Sequence, residues 1–231
     1  MKKVLQFGKM AVKINMAGIL LSGLFFPLLT AFIHPQPKWQ TPDLFIASYH
    51  WLQTATFFFG YLLVTGSVLT FIALYFLTEK NKKIIAFSGL AINIIFSGIV
   101  ILNYIIQTTW IPYLAFNNPA ETKFLIAAFT MSNPGSLAWA LEMYGWGGIG
   151  LSFIFMSFTF ESEGNQRILR TLFLINGITS VGSAILTSVD MNWIFSPAGF
   201  GALITWNTLV FIIDLLLLKY FSVQLKPIKH L

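Results

Sequence analysis

"LAWALEMYGWGGIG", residues 137–150, sets one carboxylate, Glu142, inside an otherwise apolar run. A helix needs about 20 mostly apolar residues to cross a bilayer. Read as part of a helix near 136–160, this run is one of six windows that qualify. The others lie near 14–33, 51–77, 84–107, 171–189 and 198–218. The stretch decides the fold because it decides parity. With it the chain crosses an even number of times and both termini share a side; an odd number would spoil the alternation of charge described next.

Twelve of the fourteen Lys and Arg fall in alternate segments: Lys2, Lys3, Lys9 and Lys13; Lys80, Lys82 and Lys83; Arg167 and Arg170; Lys219, Lys226 and Lys229. Only Lys38 and Lys123 fall in the segments between. Basic residues collect on the cytoplasmic side of membrane proteins, so this split predicts cytoplasmic termini. The composition agrees. Of 231 residues, 56% are hydrophobic and 10% charged, with mean hydropathy +0.76, where a soluble domain carries about 25% charged residues. The expectation is an all-α, polytopic integral membrane bundle of six transmembrane helices, one domain over residues 1–231. It would sit as a multi-pass protein in a cell membrane, a bacterial inner membrane fitting best. The net charge of +6 then reflects orientation, and no nucleic-acid partner is expected.

The first apolar run follows four lysines, as a signal peptide would, but it is too long for one and no small-residue cleavage site follows. It reads as an uncleaved span. Beyond the third span, "NPAET" (118–122) offers Asn118 as a cap, Pro119 in the first turn and Glu121 three residues after the cap. The run near 119–132 is about 14 residues, roughly 20 Å, too short to span. It predicts a short outer helix, interfacial or re-entrant. "TPDLF" and "SPAGF" signal helix starts at Pro42 and Pro197. If Pro42 begins the second span, that helix extends beyond the membrane or bends near His50.

Polar residues inside the spans form patterns. Asn176, Ser180, Ser183, Thr187 and Asp190 recur at spacings of four, three, four and three, one stripe of the fifth span. Such a stripe serves as a seam between helices or as a wet track. Asn103 and Gln107 share a face of the third span, with Asn93 within a quarter-turn. Asn207 and Asp214 share a face of the sixth. Asp214, close to Lys219, reads as a carboxylate snorkelling to the cytoplasmic end. Glu142 shares a mostly small face with Ala138, Gly145, Ile149 and Ser152, so it turns toward a neighbouring helix. A charge at the bilayer centre costs at least about 2.5–3.5 kcal/mol on insertion scales. Glu142 escapes this by protonating and donating a hydrogen bond to Asn103 or Gln107, by accepting hydrogen bonds, or by facing water. No basic residue is near it in sequence, and His50 is the best cationic candidate. Trp146 and Trp206 lie deeper than an interfacial belt and serve as bulk or as pocket lining.

The absence of cysteine excludes disulfides, thiolate metal sites and thiol nucleophiles. His34 and His50 fall outside and His230 inside, which argues against a bis-histidine haem or a three-histidine zinc site. No metal or cofactor is expected, and no catalytic residue is assigned. The leading expectation is a protein that binds or transports a small or amphipathic molecule through an outward-facing polar and aromatic pocket. Glu142, Asn103, Gln107, Trp146, Asp190 and His50 would line it. The seam of Asn176, Ser180, Ser183, Thr187, Asn207 and Asp214 would lie beneath. Membrane lipids, a small-molecule ligand and a membrane-protein partner or second copy are the expected partners. Two other readings stay open: a structural or regulatory subunit of a membrane complex, and an intramembrane enzyme acting on a lipid.

Overall fold

The computed structural model describes residues 1–117, 122–164 and 166–225. The elements are α1 (Lys2–Leu20), α2 (Phe26–Ile33), α3 (Pro42–Ser48), α4 (Leu52–Leu77), α5 (Lys83–Ile105), α6 (Ile111–Asn117), α7 (Lys123–Phe129), α8 (Leu137–Ser157), α9 (Gln166–Val189) and α10 (Pro197–Gln224). No strand occurs among the described residues. Among the described residues, five helical segments are long and apolar enough to cross a membrane: Lys2–Ile33, Leu52–Leu77, Lys80–Asn117, Gln166–Val189 and Pro197–Gln224. α8 has 21 residues, about 31 Å at 1.5 Å per residue. It is long enough, but Glu142, Trp139, Tyr144, Trp146 and a run of glycines dilute its apolar character.

The long helices form a ring in chain order. α1 packs on α4, α4 on α5, α5 on α8, α8 on α9, α9 on α10, and α10 returns to α1. Side chains fill the middle: Phe71, Phe153 and Phe173 are buried, with Phe71–Phe153 and Phe153–Phe173 ring centroids 5.0 and 4.8 Å apart. Asn93 is fully buried and donates through Nδ2 to Ser67 on α4 and Ser152 on α8, both at 3.1 Å. This ties three helices with one amide.

Two segments run longer than their hydropathy predicts. α1 starts at Lys2, because Leu5, Gly8, Val12, Asn15 and Ile19 form one buried stripe and nothing interrupts the helix before residue 20. The third segment continues to Asn117. Each contains a widened π-helical turn, Leu21–Phe25 and Ile106–Trp110. Each turn lies just before a proline, Pro27 or Pro112. Proline lacks an N–H and its ring clashes with the carbonyl four residues back; a widened turn lets the helix continue past it.

Close approach is set by glycine at two crossings. A Cβ on Gly66 of α4 would lie 2.4 Å from the Asn15 backbone nitrogen of α1, and one on Gly150 of α8 would lie 2.3 Å from Ser180 Cβ of α9. Both contacts are shorter than any side chain tolerates.

The ring has two unlike ends. At the lysine-rich end, Lys82 pairs with Glu161 at 2.6 Å, and Lys83 Nζ sits 4.5 Å from the Tyr75 ring centroid. At the tryptophan-rich end, α3, α6 and α7 pack together around Phe45, Ile111, Leu114 and the fully buried Ile126. Lys123 pairs with Asp43 at 2.5 Å. Pro42 does start a helix, capped by Thr41 Oγ1 accepting from Leu44 N. That helix stops at Ser48, and Tyr49 turns extended before α4. Ser196 caps α10 in the same manner at 3.1 Å. Of the expected short helix near 119–132, seven residues, Lys123–Phe129, are helical and Thr130–Ser136 form turns. Asn118, Pro119 and Glu121, like Lys226, Lys229 and His230, lie outside the described residues.

Candidate functional site

Glu142 emerges from α8 against α5. Its face is set by its small neighbours: Ala138, Gly145 and Ser152 are buried, and Gly145 packs on Val100 of α5. The carboxylate accepts three hydrogen bonds. Asn103 Nδ2 donates to Oε2 at 2.9 Å; Tyr104 OH and Trp146 Nε1 donate to Oε1 at 2.9 and 2.8 Å. Asn103 is thus the amide that meets Glu142, and Gln107 reaches it only through Asn103. All three donors are neutral. The cation expected of His50 is not among them.

Asn103 extends the network. Its Nδ2 also reaches the Ala138 carbonyl at 3.2 Å, and its Oδ1 accepts from Gln107 Nε2 at 3.3 Å. Gln107 is a clamp on the α7–α8 connection: Nε2 donates to Phe129 O at 2.7 Å and Oε1 accepts from Met131 N at 3.1 Å. Trp139 Nε1 adds a bond to Met131 O at 2.6 Å. The π turn at Ile106–Trp110 buries Gln107 and leaves the following Thr108 facing the other way.

That other side is a groove. A cavity of about 490 Å³ opens between α2, α4 and α6, lined by Phe26, Tyr49, Trp51, Phe59, Thr108 and Phe116 among others. Its walls are aromatic, with Tyr49 and Thr54 hydrogen-bonded through their hydroxyls; burial pushes the Tyr49 phenol above its ordinary range. Two tyrosine rings link Glu142 to Thr108 in the groove wall. Tyr104 donates to Glu142, its ring meets that of Tyr61 edge to face at 6.0 Å, and Tyr61 OH bonds Thr108 Oγ1 at 3.1 Å.

Of the six residues expected to line one pocket, Glu142, Asn103, Gln107 and Trp146 come together. Asp190 and His50 do not join them. Asp190 is exposed and accepts from Asn192 N at 2.9 Å, closing the turn after α9. His50 stacks on His34, centroids 4.4 Å apart, and its Nδ1 accepts from Leu52 N. None of the six lines the 490 Å³ groove.

Along the seam, Asn176, Ser180 and Thr187 are buried and Ser183 half-buried, against α8. Trp206 Nε1 donates to Ser180 at 3.1 Å and Trp193 Nε1 to Thr187 at 2.8 Å. Asn207 fits beside Gly23. Asp214 corrects the snorkelling expectation: it is 1% exposed and accepts from Asn15 Nδ2 of α1 at 3.0 and 3.1 Å. An amide on a facing helix, not water at the helix end, satisfies it. Sequence reading missed Asn15, Tyr104, Tyr61 and Thr108. A lone amide in an apolar segment was the signal available for Asn15; for the tyrosines there was none.

The chain matches no family model, no curated protein and no solved structure.

Proposed function

We propose that this chain is a six-span protein of the cell membrane, with both termini and the lysine-rich end cytoplasmic, that binds and moves a small amphipathic molecule. The alternating direction of the six long helices supports the threading: it gathers Lys2, Lys3, Lys82, Lys83 and Lys219 at one end and Trp39, Trp51, Trp110 and Trp193 at the other. α7 then lies at the outer surface.

One observation carries the binding reading: a chain of contacts runs from Glu142 through Tyr104 and Tyr61 to Thr108 in the groove wall. Ligand sites join a large apolar cavity to a few placed polar groups, and intramembrane carboxylates facing the bundle interior mark substrate paths. The groove takes the apolar body of the molecule. Rotation of the Tyr61 or Tyr104 ring admits its polar part to Glu142.

The test is extraction of small molecules from protein purified in mild detergent, followed by mass spectrometry. Ala55, in the groove wall, is replaced by Trp to fill it. A compound retained by wild type, lost from Ala55→Trp and reduced in Glu142→Gln is the expected result. Identical extracts from wild type and a folded Ala55→Trp variant would refute the reading.

A further inference from the structure

A second, smaller cavity lies in the middle of the ring. Its free volume, about 10 Å³, holds a single water-sized particle. Five helices line it, through Asn15 of α1, Ser67 of α4, Trp146 of α8, Asn176 of α9 and Trp206 of α10 among others. It is separate from the groove, which shares none of these residues.

The polar accounting at this cavity does not close. Asn15 spends its Nδ2 on Asp214 and leaves Oδ1 buried without a partner; Asn176 Oδ1 is buried without a partner too. Both side chains are more than nine-tenths buried. Among the described residues only four buried side-chain atoms lack partners, and these two face the same cavity. A third, Thr70 Oγ1, is one turn along α4 from Ser67. The two indoles at the cavity are spent on other partners: Trp146 Nε1 donates to Glu142 and Trp206 Nε1 to Ser180. Next to this acceptor-rich space is a buried carboxylate, Asp214, one helical turn from the lining residue Val210 and bonded to a single donor group. An orphaned buried acceptor costs about 1–3 kcal/mol, and a buried carboxylate without a cation costs more. A single water would satisfy the two amide oxygens but leave the charge of Asp214 unbalanced; a cation would do both.

We propose that this cavity binds one monovalent hard cation, Na+ by size, through the Oδ1 atoms of Asn15 and Asn176, with Asp214 balancing its charge. The donor set is all oxygen, which excludes soft transition metals. A single carboxylate neutralises a monovalent ion but not Ca2+ or Mg2+, which take several carboxylates or retain a water shell this space does not hold. The site lies midway along the bundle, where helical transporters carry their coupling ions. It stands on its own, whatever the groove takes.

The experiment is equilibrium binding of radiolabelled Na+ to the purified protein in detergent, together with melting in NaCl, KCl or choline chloride at equal ionic strength. Wild type should bind about one Na+ per chain, displaced by unlabelled Na+. Its melting temperature should rise with the logarithm of Na+ concentration, by about 5–10 °C at roughly 100 times the dissociation constant. Asn176→Leu, which removes one ligand, and Asp214→Asn, which removes the charge, should each lose at least tenfold in Na+ affinity. Should Asp214→Asn fail to fold, Asn176→Leu decides alone. Melting that ignores the identity of the cation, as an ordered water would give, overturns the proposal, as does Na+ binding unchanged in a folded variant.

Discussion

Trp146 and Trp206 meet edge to face with ring centroids 4.9 Å apart, and their indole N–H groups point in different directions. That of Trp146 goes to Glu142 on its own helix, and that of Trp206 to Ser180 on α9. The pair forms the partition between the Glu142 network and the central cavity, both of them lining the latter. An edge-to-face pair contributes about 0.5–1.5 kcal/mol beyond its buried area. A double-mutant cycle with Trp146→Leu and Trp206→Leu, read by thermal unfolding, should give a coupling of about 1 kcal/mol. Additive losses would mean that the two rings only fill space.

Glu142 should tolerate Gln far better than Leu. Leu leaves the Tyr104 and Trp146 donors unpaired, while Asn103 Nδ2 keeps the Ala138 carbonyl. At about 1–3 kcal/mol each, the total loss is at least about 2 kcal/mol, a fall of roughly 5 °C or more in melting temperature. Gln keeps one acceptor oxygen and should cost about 1–2 kcal/mol. A Leu variant melting with wild type would show that the three bonds do not hold α8 to α5.

Two glycine substitutions should separate packing from propensity. Gly150→Ala puts a methyl 2.3 Å from Ser180 Cβ, forcing α8 off α9 at a cost of about 1–3 kcal/mol. Gly98→Ala meets nothing within 4 Å and should be neutral or gain up to about 1 kcal/mol of helix propensity. Melting curves of the two variants check this; equal tolerance would mean the α8–α9 contact is loose.

The threading is testable on a clean background, since the chain has no cysteine. Single cysteines at Lys82 and Trp39 should react from opposite sides of the membrane. Labelling of both by an impermeant thiol reagent in intact cells would overturn cytoplasmic placement of the lysine-rich end.

The helices were legible because apolar length is a direct requirement of the bilayer. Asn103, Gln107, Glu142 and Trp146 were legible as a group because four-residue spacing stacks side chains on one helix face. Pairing across the ring was not. Asp214 finds Asn15 from 199 residues away, and nothing in the spacing around Lys219 hints at a partner on α1. The groove escaped for a different reason. Its lining is ordinary apolar sequence from separate helices, and its shape depends on the π turns before Pro27 and Pro112. Their effect on which residues face inward is invisible to a constant 3.6-residue period.

The ring order carries an implication for assembly. Every long helix but one docks on the helix made just before it, so the arc from α1 to α9 is able to grow by addition at one edge, as helices leave the ribosome. α10 alone must touch both edges, α9 behind it and α1 across the gap. The Asn15–Asp214 contact therefore forms last and latches the barrel of helices. Until it forms, the Asn15 amide waits at an open seam, and the central cavity is continuous with its surroundings. A nascent chain halted after α9 would present that seam to quality-control machinery as an unpaired polar mark in an otherwise apolar wall.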